Sequence, residues 1–397
     1  MDSADRWNIL EIVLCCTLIC GFFLPVKVTS VAVLVLSLPW FFRPKVYFQR
    51  LKWSPVAILF ISLFVYAIIG IIYSNDKYEA YKQVEKLFPF VFISLFFSSC
   101  HTQFLYAHRQ YIYWTLIFAS LLVLLYNVIR ASFVFDKTYL FVNGYTPFTS
   151  LVGLDPVYYS SFVILAYVLL LNIVLTTPLT RVQKILSISA LWILAVSVFY
   201  VRSRISIAAF LSINFYFLYF LPHPLRVKYF TTAVIILSTL AMAVIFGTEV
   251  KVALTRFRFS VLEGAIETRR VEWTATYDVF KEHLLFGTGP GDFQNKLNQK
   301  YSRMGFERGI GAFNAHNEYL SQLAKGGIVG GIMFFFIFYF SWLYFWRDRS
   351  FIVIAFLILV LMSFTTESML SRQKGIVFVT FFLCFFEMCG GQKKNRA

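Results

Sequence analysis

The sequence predicts an all-α fold: a polytopic membrane protein with about twelve transmembrane helices and one large outward-facing loop before the last three spans. Three observations carry this. Hydrophobic residues make up 59% of the 397 and charged residues only 14%, about half the charged share of a soluble globular protein. Apolar runs near the ~20 residues needed to cross a bilayer recur along most of the chain. A single long polar segment, 248–317, interrupts them.

The runs fall, in order, at 8–25, 28–42, 54–73, 86–100, 111–129, 156–176, 183–200, 204–222, 229–247, 318–346, 350–366 and 373–390. No small-residue cleavage site follows the first, which is therefore read as a retained span and not a removed signal peptide. Runs 28–42 and 86–100 are short, which points to tilted or broken helices. The loops set the orientation. FRPKVYFQRLK (42–52), TRVQK (180–184), PLRVK (224–228), RDR (347–349) and KKNR (393–396) alternate with less basic loops. Basic loops stay on the cytoplasmic side, so both termini are expected there and 248–317 outside. The chain then divides into an N-terminal bundle (1–247), the outer loop (248–317) and C-terminal helices (318–397), one integrated domain without internal repeats.

Within the loop, 266–282 reads as an amphipathic helix with Arg270, Trp273 and Tyr277 on one face at i, i+3 and i+7. Trp and Tyr suit the head-group layer, so this helix is expected on or just above the membrane. Gly287, Gly289, Pro290 and Gly291 end it and turn the chain. Asn314 is placed to cap the next helix, with His316 in its first turn.

Four groups of residues could carry chemistry. His316 with Asn317 stands where the outer loop meets the bilayer. A neutral imidazole there can act as a base, and the plain alternative is an interfacial capping histidine. Arg202 and Arg204 sit at the outer end of two helices joined by almost no loop, against the positive-inside trend. Arginine matches phosphate oxygens in a two-pronged fork, while the plain alternative is snorkelling to head groups. Arg269 and Arg270 lie in the loop helix, and Arg270 is preferred because it shares a face with Trp273. Glu367, near Arg372 and Lys374, is placed to orient an arginine or the histidine, or else marks an exposed turn.

Other signals are discounted. The net charge of +16 is spread over short loops, so lipid head groups explain it more cheaply than nucleic acid. The six cysteines lie in or beside apolar runs without a paired array, and no HExxH or acidic cluster argues for a metal. GTGPG follows no strand and is read as a hinge, not a nucleotide loop. Gly326, Gly327, Gly330 and Gly331 form overlapping GxxxG patterns that suit close helix packing. The abundant aromatics are expected to face mostly lipid.

Taken in order, R-x2-W (270–273), LLFGTGPGDF (284–293), AHNEYLSQLAKGGIVGG (315–331) and the ending ESMLSRQKGIVFVTFF (367–382) resemble the O-antigen ligase and O-antigen polymerase family of bacterial membrane glycosyltransferases. EKLFPFVFISLFF (85–97) and DPVYYSSF (155–162) are similar to segments of family members. The resemblance covers most of the chain in layout and is specific over about 200–380. It implies an all-helical fold with a large periplasmic loop before the last three spans. It implies a multi-pass enzyme of the bacterial inner membrane that takes a glycan from undecaprenyl pyrophosphate. The glycan passes to lipid A-core (ligase) or to a lipid-linked repeat unit (polymerase), and some members attach glycans to protein. Inverting transfer with no cofactor and no metal is implied, with membrane lipids but no nucleic acid as partners. By position, Arg204 matches a mid-chain arginine, Arg270 the loop-helix arginine and His316 the motif histidine. Glu367 sits near a less fixed acidic or polar position.

On this reading Arg204 and Arg270 hold the pyrophosphate and His316 positions or deprotonates the acceptor hydroxyl, with Arg202, Arg269, Asn317, Trp273 and Glu367 lining the substrate. A transporter for a lipid-linked solute is the contrasting reading. Transporters usually carry repeats and charges at mid-depth, whereas here the candidate charges cluster at one face. A scaffold would explain the helices but not that cluster.

Overall fold

The computed structural model describes residues 3–134, 153–201, 203–222, 224–245, 259–348 and 350–394. All twelve apolar runs form helices: α1 (Ser3–Gly21), α2 (Val26–Phe42), α4 (Pro55–Tyr73), α6 (Phe88–Ser99), α8 (Arg109–Val134), α9 (Pro156–Thr176), α10 (Arg181–Tyr200), α11 (Arg204–Phe220), α12 (Leu225–Ile245), α15 (Glu318–Asp348), α16 (Phe351–Ser363) and α17 (Gln373–Lys394). Between them lie α3 (Pro44–Arg50), α5 (Lys77–Lys86), α7 (Thr102–Ala107), and the loop helices α13 (Phe259–Glu282) and α14 (Gly289–Arg303). Among the described residues six helices are long and apolar enough to cross a bilayer. They are α4, α8, α9, α10, α15 and α17. The α2–α3 pair, bent by 97° after Pro39 and Arg43, adds a seventh if it counts as one span. The expectation of about twelve is thus met as helices and not as full-length spans. The short run at 86–100 becomes the twelve-residue α6.

Local sequence sets the helix starts. Ser54, Asp76, Asp155 and Thr180 each accept a backbone N–H in the first turn of the helix that follows, and proline occupies the first turn of α4 and α9. Thr180 and Gln183 form a reciprocal capping box. Helices α9 and α17 are apolar all round, and most of each is buried inside the bundle. Around them the phenylalanines interlock: Phe22 lies 5.3 Å from Phe162, Phe162 4.9 Å from Phe378, and Phe378 5.4 Å from Phe356 between ring centres. The expectation that aromatics mostly face lipid is corrected here, since Phe22, Phe60, Phe96, Phe162, Phe210 and Phe217 are fully buried. Without a hydrophobic drive between helices in lipid, packing contact of this kind holds a bundle together.

At one end of the bundle the basic segment after α2 folds inward. Tyr47 donates to Glu11 at 2.7 Å, Arg50 approaches Glu11 at 3.6 Å, and Ser54 donates to Glu387 at 2.6 Å. The opposite end carries the loop layer. Helices α13 and α14 pack together around their own small core, with Ala275, Val279, Phe293, Leu297 and Tyr301 buried. Helix α14 is not in the sequence reading: the glycines that turn the chain also open a helix, with Pro290 in its first turn.

The layer is joined to the bundle at a break in α15. Gly327 has φ 63°, ψ −162°, so the helix is interrupted there. Ile328 N–H donates to Leu284 O at 2.8 Å, and Thr288 N–H donates to Ala324 O at 3.0 Å. Tyr66 of α4 donates to Gly326 O at 2.7 Å, and Tyr73 to Phe286 O at 2.9 Å. Irregular backbone at membrane depth is tolerated where protein groups satisfy it, and here they do. A Cβ on Gly287 would meet Lys325 O, and one on Gly327 would meet Leu285 O, so both positions require glycine.

Candidate active site

The loop layer builds the site from α14. Gln294 donates to Phe313 O at 3.0 Å, Tyr301 donates to Asn314 O at 3.2 Å, and Asn298 accepts from Gly311 N–H at 3.1 Å. Three side chains of one helix therefore fix the strand of loop that ends in His316. Asp292 anchors α14 in turn. Its carboxylate accepts from the N–H groups of Asn75 at 2.8 Å and Asp76 at 2.9 Å, at the start of α5.

His316 precedes the helix and is not in its first turn; α15 begins at Glu318. Its φ is +42°, the one positive value for a non-glycine among the described residues. An L-residue in that region costs about 1–2 kcal/mol. Asn314 helps hold it there by accepting the His316 N–H at 2.9 Å, so Asn314 makes a tight turn while Asn317 caps α15 by accepting Leu320 N–H at 3.0 Å. The twist sets the ring beside Glu367, with Nδ1 3.3 Å from Oε2. The imidazole is 18% exposed and the carboxylate 5%. Glu367 Oε1 is buried with no hydrogen-bond partner among the described residues.

A clamp between two segments makes this pairing. Glu318 N–H donates to Phe364 O at 2.8 Å, and the Glu318 carboxylate accepts Leu370 N–H at 2.6 Å. Asn317 donates to Thr365 O at 3.3 Å and Tyr319 to Leu361 O at 2.8 Å. The turn between α16 and α17 is thereby pinned against the start of α15.

Two more acids complete the surroundings. Burial, and then the nearby Glu367, raise the Asp155 carboxyl above the usual range, while the Val157 N–H, Arg372 and His316 oppose. Burial likewise raises the Glu272 carboxyl against the pull of Arg269 and then His316. Arg269 lies 2.8 Å from Glu272, whose side chain is 1% exposed.

The sequence candidates are thus sorted by position. His316, Asn317 and Glu367 come together, and the Arg269–Glu272 pair borders them. Arg270, Trp273 and Tyr277 do share a face, but it is the exposed face of α13, turned from the layer's core. Arg270, preferred from sequence as the arginine facing the site, is thus exposed on α13, while Arg269 pairs with Glu272. A shared aromatic face marks what a helix shows outward, not what it shows to a site. Arg204 is exposed at the first residue of α11, after a very short turn from α10. Arg202 lies outside the described residues.

Sequence reasoning missed Asp155, Glu272 and Glu318 as neighbours of the histidine. Asp155 was visible only as a proline-preceding helix cap. Glu318 directly follows His-Asn, a position that would have singled out a carboxylate at a helix start.

Residues 189–335 match the family model described as O-antigen ligase. No curated protein matches the chain. The fold is that of an all-helical membrane protein, and the match runs from α10 through the loop layer and the His-Asn segment into α15. Over that segment the chain is similar to the O-antigen ligase family.

Proposed function

We propose that this chain transfers a glycan from undecaprenyl pyrophosphate to an acceptor hydroxyl at the periplasmic face of the inner membrane, with lipid A-core as the acceptor. The observation that carries this reading is His316, held in a strained loop inside the segment that matches the family and paired there with Glu367 from beyond it. If Nδ1–H donates to Glu367, Nε2 keeps its lone pair and faces outward as a base. The acceptor oxygen attacks C1 of the sugar opposite the leaving group. Its proton passes to Nε2, and the electrons of the breaking C1–O bond go to the pyrophosphate, inverting the anomeric centre. No cofactor enters this scheme. Cations near the leaving group favour the transition state because charge develops there. Arg204 and Arg269 are the arginines proposed for the donor's phosphates and glycan, and Arg270 with Trp273 would meet head groups.

The test is the ladder of surface glycans on a gel, comparing wild type, a deletion strain and His316→Ala. The variant is expected to lose every glycan-bearing band while long chains accumulate on the lipid carrier. A general base contributes roughly 10²–10⁴-fold, so little residual transfer is expected. Survival of a single-repeat band with the ladder gone would make the enzyme a polymerase instead. An unchanged ladder would reject both.

A further inference from the structure

A second polar region lies on the outer side, and neither the His316 pair nor the arginines of α11 and α13 explain it. A cavity of about 440 Å³ is lined by Lys86 of α5, Lys325 of α15 and Arg372 of the turn before α17, with Gln83, Gln294 and Asn314 beside them. The lysines share a second, narrower space with Leu63, Ala67, Leu87 and Phe90, a slot between α4, α6 and α15. Polar cavity and apolar slot adjoin, with Gln83, Lys86, Pro290 and Lys325 in the walls of both.

Among the described residues no carboxylate forms an ion pair with any of the three cations. Glu79, the acid in the lining, accepts from Gln83 at 2.6 Å and lies 4.0 Å from Lys82. Lys325 donates to Ser371 at 2.7 Å and stands 5.1 Å from the Phe293 ring centre, with the buried Glu318 carboxylate near enough to act on its ammonium without an ion-pair contact. Burial, with Lys82 and Arg372 adding to it and Glu79 opposing, lowers the Lys86 ammonium below its ordinary value. Three cations from three elements face one cavity, and the carboxylates that act on them (Glu318, Glu79 and Glu85, Asp155) make no ion pair with them. A lysine in a membrane span is costly enough to point to a bound partner.

We propose that Lys86, Lys325 and Arg372 bind the phosphate head group of a lipid whose hydrocarbon chain runs down the slot between α4, α6 and α15. Gly326 and Gly330 let Tyr66 approach α15 closely, and the slot lies along that contact. Asn314, which accepts the His316 N–H, lines the same cavity, so the head group would sit near the proposed base. On the glycan-transfer reading, on which the lipid's identity rests, the ligand is the carrier diphosphate. The three cations would share that diphosphate with Arg204 and Arg269.

The experiment uses the full chain in nanodiscs and measures binding of undecaprenyl diphosphate without sugar, with phosphatidylglycerol vesicles as competitor. Lys325→Met, Arg372→Gln and Lys86→Met are each expected to weaken binding at least tenfold, and Lys325→Arg to restore most of it. Lys86 lies outside the spans, so it reports on the cavity even if Lys325→Met fails to accumulate. Equal competition by phosphatidylglycerol would keep the anion site and assign it to a bilayer phospholipid. Wild-type binding in all three variants would overturn the site and leave the transfer reading standing. Binding that depends on the three cations in a protein without transfer activity would do the reverse.

Discussion

At the residue scale, the site depends on one uncommon backbone angle. His316 is held at φ +42° by Asn314 on one side and by the pinned α16–α17 turn on the other. Glu367→Gln keeps the shape but removes the negative charge facing Nδ1. It is expected to slow transfer less than His316→Ala while leaving protein levels unchanged, and a single-turnover assay on both variants checks the order. Glu272 gives a pH-dependent outcome. Its carboxyl is raised in the fold above an unfolded value of about 4.3. The stability it contributes is therefore present below that value and lost as pH rises through the folded one. Wild type should lose thermal stability relative to Glu272→Gln as pH rises over this range, and melting curves from pH 4 to 8 measure it. His316 was legible because its motif is local. Glu367, 51 residues away, was legible as able to orient an arginine or the histidine, but which of them it meets depends on the Glu318 clamp that brings it near His316. Periodicity found a face on α13 but could not say which face looks inward, since that depends on what packs against it.

At the scale of elements, the broken α15 is the joint between bundle and loop layer. The sequence shows four clustered glycines, and close packing against a neighbouring helix does occur through Tyr66. The interruption at Gly327 was hidden because a glycine in an apolar run reads equally as a packing notch or as a break. Gly327→Ala is expected to cost about 1–3 kcal/mol in backbone strain, beyond the collision with Leu285 O. Reduced yield of folded protein in detergent, followed by size-exclusion chromatography, is the measurement. Gly305→Ala is the comparison: its φ is also positive, but open space surrounds its Cβ position.

At the scale of the whole molecule, all twelve apolar runs were legible as helices because hydropathy is a long-range average. The shortness of 86–100 was legible too and appears as α6, whereas the thirteen-residue α16 is shorter than its run. Alternation of the runs puts both termini at one end and the loop layer at the other. In a cysteine-free background, an impermeant thiol reagent is expected to label Arg308→Cys in intact cells but Lys184→Cys only after permeabilisation. The reverse pattern would invert the topology.

The contacts of Tyr66 also carry a timetable. Its hydroxyl is satisfied by Phe286 and Gly326, 220 and 260 residues later in the chain. During synthesis α4 enters the bilayer long before either carbonyl exists. Until α15 emerges, that hydroxyl and its neighbour Tyr73 lack the partners that seat them in the finished protein. A ribosome that stalls before Gly326 would leave an N-terminal bundle with its outer edge unsealed, a form that membrane quality control could tell from the completed enzyme.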